Sequence, residues 1–244
     1  MGASDTGSGV TTLPDPDSDA DLGAVMGRIA RTLQQEHGDV ESTLASITSS
    51  AVDIVPGTDW ASVSLVSGRK VSSHAATDNR ATELDGLQTE VGEGPCLDAL
   101  REQETVEVTD FAVDRRWPRF GTAAVRLGVG SLLSFQLFTD GDNLGALNLF
   151  ADHPNAFDDE SATIGQVFAA HAAIALSAAR HEQNLRAAMD KRDLIGQAKG
   201  ILMERHKLTA VQAFAVLVRT SSHTNRKLFD VADELTSTGT MPDD

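Results

Sequence analysis

QVFAAHAAIALSAARHEQNLRAAMDKRDLI, residues 166–195, runs without a glycine or a proline. Through it Ile164, His171, Ala178 and Leu185 recur every seven residues, as do Val167, Ile174, His181, Ala188, Ile195 and Leu202. That spacing predicts one helix of about 45 residues, beginning near Asp159, with a seam along one side. The seam includes His171, His181, Arg192 and Lys199, too polar for a strong coiled coil but within what a parallel dimer with flanking helices tolerates. Over residues 160–180 the helix is expected to pack partly on a sheet formed by the chain before it. Beyond residue 180 no sheet is left, so a second copy or a bundle formed by the tail must cover the seam. A homodimer through residues 160–205 is the expectation.

Upstream, Val25, Ile29 and Leu33, then Val40, Leu44, Ile47 and Ala51, recur at helical intervals between Leu22 and Val55, and Pro56-Gly57 stops the run. WASVSLV at 60–66 alternates as a strand, SGRK turns, and VSSHAAT returns as the second arm of a hairpin. Pro95 in VGEGPCLDAL, 91–100, suits the first turn of a helix running to about Glu102. TVEVTDF reads as a short strand, and RWPRF as a loop opening a helix through Arg126. GSLLSFQLFTDGDNLGALNLFAD, 130–152, gives two apolar strands around an Asp-Gly-Asp-Asn turn. The fold class is therefore α+β, with five or six antiparallel strands and helices in front and behind.

Downstream, Thr209 and Gln212 form a capping box, and Ala213, Phe214 and Leu217 supply the buried stripe of a second helix. Thr224 or Ser222 is placed to cap a third, whose Leu228, Val231, Ala232 and Leu235 fall at i, i+3, i+4, i+7. With the end of the long helix these make a small three-helix bundle.

Charge divides the chain in the same way. Against a total of −16, residues 1–183 hold 28 acids and 11 Lys and Arg, a net of −17, while residues 184–229 hold nine bases and three acids, a net of +6. The tail is a basic module on an acidic body. Cys96 is the one cysteine, which excludes an intramolecular disulfide and a zinc site built on cysteines. MGASDTGSGVTTLPDPDSDAD has no basic n-region or apolar h-region, and no run approaches the ~20 apolar residues that span a bilayer. A cytoplasmic protein without membrane association is expected, with residues 1–21 and 239–244 disordered.

The histidines show no metal-ligand spacing, and neither a Ser-His-Asp set nor a glycine-rich phosphate loop occurs. No metal, cofactor or enzymatic activity is expected. Cys96 reads either as a thiol activated at a helix N-terminus or as a small buried residue, and Trp117 either as a pocket wall or as loop packing. Within DLIGQAKGILMERHKLTAVQAF, 193–214, Gly196 and Gly200 each cost roughly 1 kcal/mol in a helix interior, so something is expected to approach closely. Arg192, Gly196 and Lys199 share a face turned from Ile195, Ala198 and Leu202. That face is either a ligand surface beside two cations or a small-residue helix contact. Arg219, Ser221, Ser222, Asn225, Arg226 and Lys227 gather at the junction of the second and third helices, as a solvated charged surface or one suited to phosphates and splayed bases.

RDLIGQAKGILMERHKLTAVQAFAVLVRTSSHTNRKLFDVA, 192–232, resembles the ANTAR domain, the three-helix RNA-binding module of bacterial antiterminators. The likeness rests on Arg192, Ile195, Ala198 to Met203, Ala213-Phe214, Leu217, Ser221, Asn225, Leu228 and Val231-Ala232, and covers 184–237. GEGPCLDALREQETVEVTD, RWPRFGTAAVRLGVGSLLSFQLF and LGALNLFADHPNAFDDE resemble a GAF domain of the type that precedes ANTAR modules in actinobacteria, over about 35–180. The resemblance implies a GAF-type sheet flanked by helices over 22–180, joined by the long helix to an ANTAR bundle over 181–238. It implies a dimeric regulator that binds tandem stem-loops in nascent RNA and prevents termination, touching RNA polymerase only indirectly. Arg192, Gly196, Lys199, Arg219, Ser221, Ser222, Asn225, Arg226 and Lys227 are then the RNA-binding candidates, and Cys96, Trp117 and Phe135 would line a pocket for an unidentified small molecule. Three GAF chemistries lack their residues: a sulfoxide reductase needs a resolving cysteine, bilin carriers commonly have His where Leu97 follows Cys96, and the Asn-Lys-Phe-Asp-Glu pattern of cyclic-nucleotide binders is absent. Two other readings stand beside this one. One is a DNA-binding regulator using the third helix, disfavoured because SSHTN lacks the glycine usual in a helix-turn-helix; the other is a GAF enzyme with an interaction tail.

Overall fold

In the computed structural model the described residues are 39–67, 70–102, 105–139 and 142–242, with isolated positions at 23, 27 and 31. The expected helix over Val25, Ile29 and Leu33 and the acidic first 21 residues lie outside them. The chain divides into two compact units, Met1–Ala179 and Arg180–Asp244.

Helix α1, Val40–Ile54, starts at Asp39, whose Oδ1 accepts the Ser42 N–H at 2.9 Å, and buries Leu44, Ile47 and Ala51 as their spacing requires. Strands β1 (Trp60–Ser67), β2 (Lys70–His74), β3 (Val106–Val108), β4 (Ser131–Thr139) and β5 (Asp142–Ala151) form one sheet in the order β2-β1-β5-β4-β3. Every pairing is antiparallel. Alternation along the strands gives two chemically different faces. One carries Val63, Leu65, Leu133, Phe135, Leu137, Leu147 and Leu149, packed with α1 and with Phe168, Ala172 and Leu176 of the long helix α5, Asp159–His206. The other carries Trp60, Val108, Leu132 and Phe150, covered by α2 (Asn79–Val91), α3 (Pro95–Glu102) and α4 (Pro118–Arg126) through Leu84, Ala99 and Phe120. Trp60 stacks on Phe150 at 4.1 Å, and its Nε1 donates to Asp152 Oδ1 at 3.0 Å.

Helix α2 has no clear hydrophobic signal in the sequence, and the reason is visible in its buried side. Ala81, Leu84, Asp85 and Gln88 lie at i, i+3, i+4 and i+7, so the inward stripe is regular but half of it is polar. Its exit is built by the GEGPC segment. Gly92 ends α2 in the left-handed region, and Glu93 Oε1 accepts the N–H groups of Arg119 (2.6 Å) and Phe120 (3.1 Å). Glu93 thereby caps α4, whose own N-cap residue Trp117 offers no side-chain bond. Gly94 has φ +149°, and a Cβ there would stand 2.2 Å from Gln88 Oε1.

Helix α5 contains an 18-residue stretch with mean hydropathy 1.4, long and apolar enough by composition to cross a membrane, which the sequence reading did not expect. The alanines that raise the value, among them Ala169, Ala172 and Ala173, are buried in the sheet-facing core, and 44% of the stretch is buried.

In the second unit the end of α5, α6 (Ala210–His223) and α7 (Leu228–Thr238) enclose Ala198, Leu202, Ala213, Leu217, Val231, Ala232 and Leu235. The Thr209–Gln212 capping box is present, with the Thr209 N–H donating to Gln212 Oε1 at 2.9 Å and the Gln212 N–H to Thr209 Oγ1 at 3.3 Å. Two expectations are corrected. Phe214 is not part of the buried stripe but 42% exposed, because the arc of α6 that faces the core runs through Val216, Ala213 and Leu217, and Phe214 lies about 100° round the helix from Ala213, outside that arc. Nor does Thr224 or Ser222 cap the third helix: Thr224 closes α6, and α7 begins after Lys227 with no side-chain cap.

Gly94→Ala is expected to destabilise the protein by at least about 1–3 kcal/mol in chemical denaturation, from the backbone region alone. Removing the opposing side chain in the double variant Gly94→Ala/Gln88→Ala should recover the part of the loss that is steric, seen as a non-additive cycle.

Candidate functional site

The face of the sheet under α2 and α3 is polar over its middle. Ser62, Ser64, Ser134 and Asn148 are fully buried there, beneath Asp85 and Gln88 of α2. The Asp85 carboxylate accepts four bonds: Ser62 Oγ (2.8 Å) and Ser73 Oγ (2.7 Å) to Oδ2, and Asn148 Nδ2 (3.3 Å) and Gln88 Nε2 (3.4 Å) to Oδ1. Asn148 Nδ2 also donates to Ser64 Oγ at 3.0 Å, and Asn148 Oδ1 accepts from Ser134 Oγ at 2.7 Å. All the donors are neutral, so burial raises the Asp85 pKa while the Ser73 and Ser62 hydroxyls pull it back. Gln88 extends the network, its Oε1 accepting the Cys96 N–H at 2.9 Å.

Cys96 sits at this junction, buried, its thiol pushed up to about 12 by burial and then by the Asp85 charge. A thiol so placed is protonated at neutral pH and a poor nucleophile, although it lies in the first turn of α3. Trp117 is buried on the same side of the sheet, its Nε1 donating to Asp98 Oδ2 at 2.7 Å and its ring covered by the Arg116 guanidinium at 4.4 Å. Phe135 is on the opposite face, in the core with α1 and α5. The three pocket candidates therefore do not line one space. A depression that Phe135 does border, with Gln136, Phe138, Gln166, Ala169 and Ala170, opens where β4 extends past the short β3. Asp85 and Gln88 escaped the sequence reading; the helical spacing of Ala81, Leu84, Asp85 and Gln88 was the available sign.

In the second unit Arg192 and Gly196 are exposed on α5, and Lys199, half-buried, reaches the Phe214 ring with Nζ 6.0 Å from its centroid. A Cβ at Gly196 or Gly200 would meet nothing within 4 Å. Arg219, Ser222 and Lys227 are exposed. Ser221 is committed to the turn between α6 and α7: its Oγ donates to the Arg226 carbonyl at 2.7 Å, and its own carbonyl accepts the Arg226 N–H. Asn225 holds that turn with φ +51°, a left-handed conformation that asparagine tolerates. Arg226 Nη1 pairs with Glu234 Oε2 at 2.6 Å. The candidates form two sets on different elements, with no hydrogen bond or ion pair joining them among the described residues.

The sequence of the GAF domain family matches residues 37–177, and that of the ANTAR domain matches residues 183–235. The chain belongs to the GAF domain family and carries a C-terminal ANTAR domain. No curated protein matches it. Among solved structures it is similar to the GAF domain of a phosphoenolpyruvate-protein phosphotransferase from Coxiella burnetii, with 16% identity, TM-score 0.53, and 68% of this chain and 98% of that one covered. It is similar also to free methionine-R-sulfoxide reductase from Neisseria meningitidis in complex with its substrate, with 20% identity, TM-score 0.51, and coverage of 70% and 97%. These likenesses show the GAF fold. The ANTAR domain is the α5–α6–α7 bundle, and the polar cluster around Asp85 is the middle of the GAF sheet.

A raised native pKa means that the folded GAF domain holds the Asp85 proton more tightly than the unfolded chain. Its contribution is complete below the ordinary carboxylate value near 3.9 and is lost as pH rises through the raised native value. Compared with Asp85→Asn, the wild type should therefore gain unfolding free energy as pH is lowered across that window, measured by urea denaturation of both proteins at each pH.

Proposed function

We propose that the chain is a cytoplasmic dimeric regulator whose ANTAR domain binds tandem stem-loops in nascent RNA and prevents transcription termination, with the GAF domain as sensor. The observation that carries this reading is the placement of charge. A segment at +6 follows a body at −17, and within it Arg192, Arg219 and Lys227 are exposed and form no ion pair among the described residues. Polyanion binding draws its non-specific affinity from such cations, and an acidic body repels the same ligand. Arg226 contributes less, since it must leave Glu234 before it meets a phosphate. Ser221 and Asn225 support binding by shaping the turn, while Ser222 and Lys227 are free to reach bases and phosphates. A regulator is favoured over an enzyme by the burial of Cys96 and the weak acidity of its thiol.

Dimerisation is supported by the outer side of α5. Ile174 and Leu185 are 63% and 55% exposed, and Ala178, His181 and Ala188 continue the stripe on the seven-residue register, with exposed Met189 beside it. Two ANTAR domains on one dimer suit two adjacent loops, because tethering raises the effective concentration of the second. The long helix is the covalent route by which a GAF signal reaches them. A second reading gains from the α6–α7 turn: left-handed Asn225 does there what glycine does in a helix-turn-helix, so the missing glycine does not count against DNA.

Crosslinking in cells followed by sequencing of the bound nucleic acid separates the two, with RNA hairpins expected and double-stranded DNA sites overturning the reading. In vitro, Arg192→Ala and Lys199→Ala should each weaken hairpin binding and lower the salt slope by about 0.7–0.9 per lost phosphate contact, with melting unchanged. Leu185→Glu is expected to convert a dimer into a monomer in sedimentation at tens of micromolar. A wild type already monomeric there would remove the two-loop arrangement.

A further inference from the structure

The ANTAR domain presents an apolar strip that its own core does not use. Val211, Phe214 and Val218 lie at i, i+3 and i+7 on α6 and are 80%, 42% and 39% exposed, turned away from Ala213 and Leu217. Met203 of α5 is exposed as well. The strip lies beside Lys199, whose ammonium stands 6.0 Å from the Phe214 ring, the outer limit of a cation–π contact. On α5, Gly196 and Gly200 leave open space where other residues would put a side chain. An accessible aromatic ring, a cation over it and bare helix backbone on the α5 face that carries the cation thus occur together, within the segment whose net charge is +6.

We infer that Phe214 is a stacking platform for an unpaired RNA base, with Lys199 holding the adjoining phosphate and the glycines leaving room for the ribose. This rests on the RNA reading above and adds to it a residue that contributes no charge. A protein partner would suit the apolar strip equally, but the surrounding excess of cations favours a polyanion, and a ring with a free face accepts any base. Double-stranded nucleic acid offers no unstacked base, so the platform implies recognition of loops rather than stems.

The experiment uses the full chain, a pool of RNA hairpins with randomised loops, and a blunt RNA duplex of equal length. Phe214→Leu keeps the apolar volume but removes the aromatic face. It should weaken hairpin binding about tenfold, within the roughly 5- to 150-fold that one base–aromatic stack is worth, without changing the salt slope, melting or duplex binding. Phe214→Trp should restore affinity, and its added indole emission should be quenched by the hairpins. Hairpin affinity unchanged in Phe214→Leu, or unquenched emission from a bound Phe214→Trp, overturns the platform while leaving RNA binding in place. Early melting of Phe214→Leu, or loss of dimer in sedimentation with hairpin affinity intact, also overturns it, since the ring then serves the bundle or a second copy. Failure of the wild type to bind any hairpin removes both this inference and the RNA reading.

Discussion

Gln88 is the side chain on which the face of the GAF sheet under α2, α3 and α4 depends. One end of its amide donates to Asp85, and the other accepts the Cys96 N–H at the start of α3. The bridge fixes the distance between two helices that approach the sheet from opposite ends of the GEGPC segment. It also sets the identity of residue 94, since Gln88 Oε1 occupies the place of a Cβ there. Glu93, fixed between Gly92 and Gly94, is then aimed at the open N–H groups of α4. Three helices are registered on the sheet by one amide and its neighbours, and an amide is well suited to this because it donates and accepts in the same plane.

The same network carries a cost. A carboxylate held by two hydroxyls and two amides has its hydrogen bonds but no ion-pair partner among the described residues, and burial of the ion is offset only in part. Apolar residues at Ser62, Ser64, Ser134 and Asn148 would pack this face with less penalty. Their retention of polar groups distinguishes the middle of this face from the apolar one opposite, where Leu133, Leu137, Leu147 and Leu149 meet α5.

Elements whose buried stripe is apolar were legible in the sequence: α1, the β4–β5 pair, α5 and the Thr209–Gln212 start of α6 all appear where their periodicity or capping pattern puts them. Helix α2 was not, because hydrophobic periodicity registers apolar side chains and half of its inward stripe is Asp85 and Gln88. Phe214 was misassigned for the opposite reason, an apolar residue being read as inward when the arc of α6 that faces the core runs through Val216, Ala213 and Leu217 and leaves it outside. The start of α7 was misplaced because the chain closes α6 with Thr224 and turns through left-handed Asn225, so the hydroxyls near the junction serve the helix before it rather than the one after. In the tail, the positions of exposed cations were readable, but their engagement was not: the Arg226–Glu234 pair spans eight residues and depends on how the turn returns the chain.

Residues 181–190 of α5 are all exposed. A helical segment exposed along its whole length is held mainly by its own propensity and by pairs such as Glu182–Arg186, and in water that support is marginal over ten residues. Whatever covers the stripe also decides how firmly the segment stays wound. Amide hydrogen exchange in this stretch is therefore tied to protein concentration if the cover is another copy, and the midpoint of the longest helix in the chain is a reporter of association.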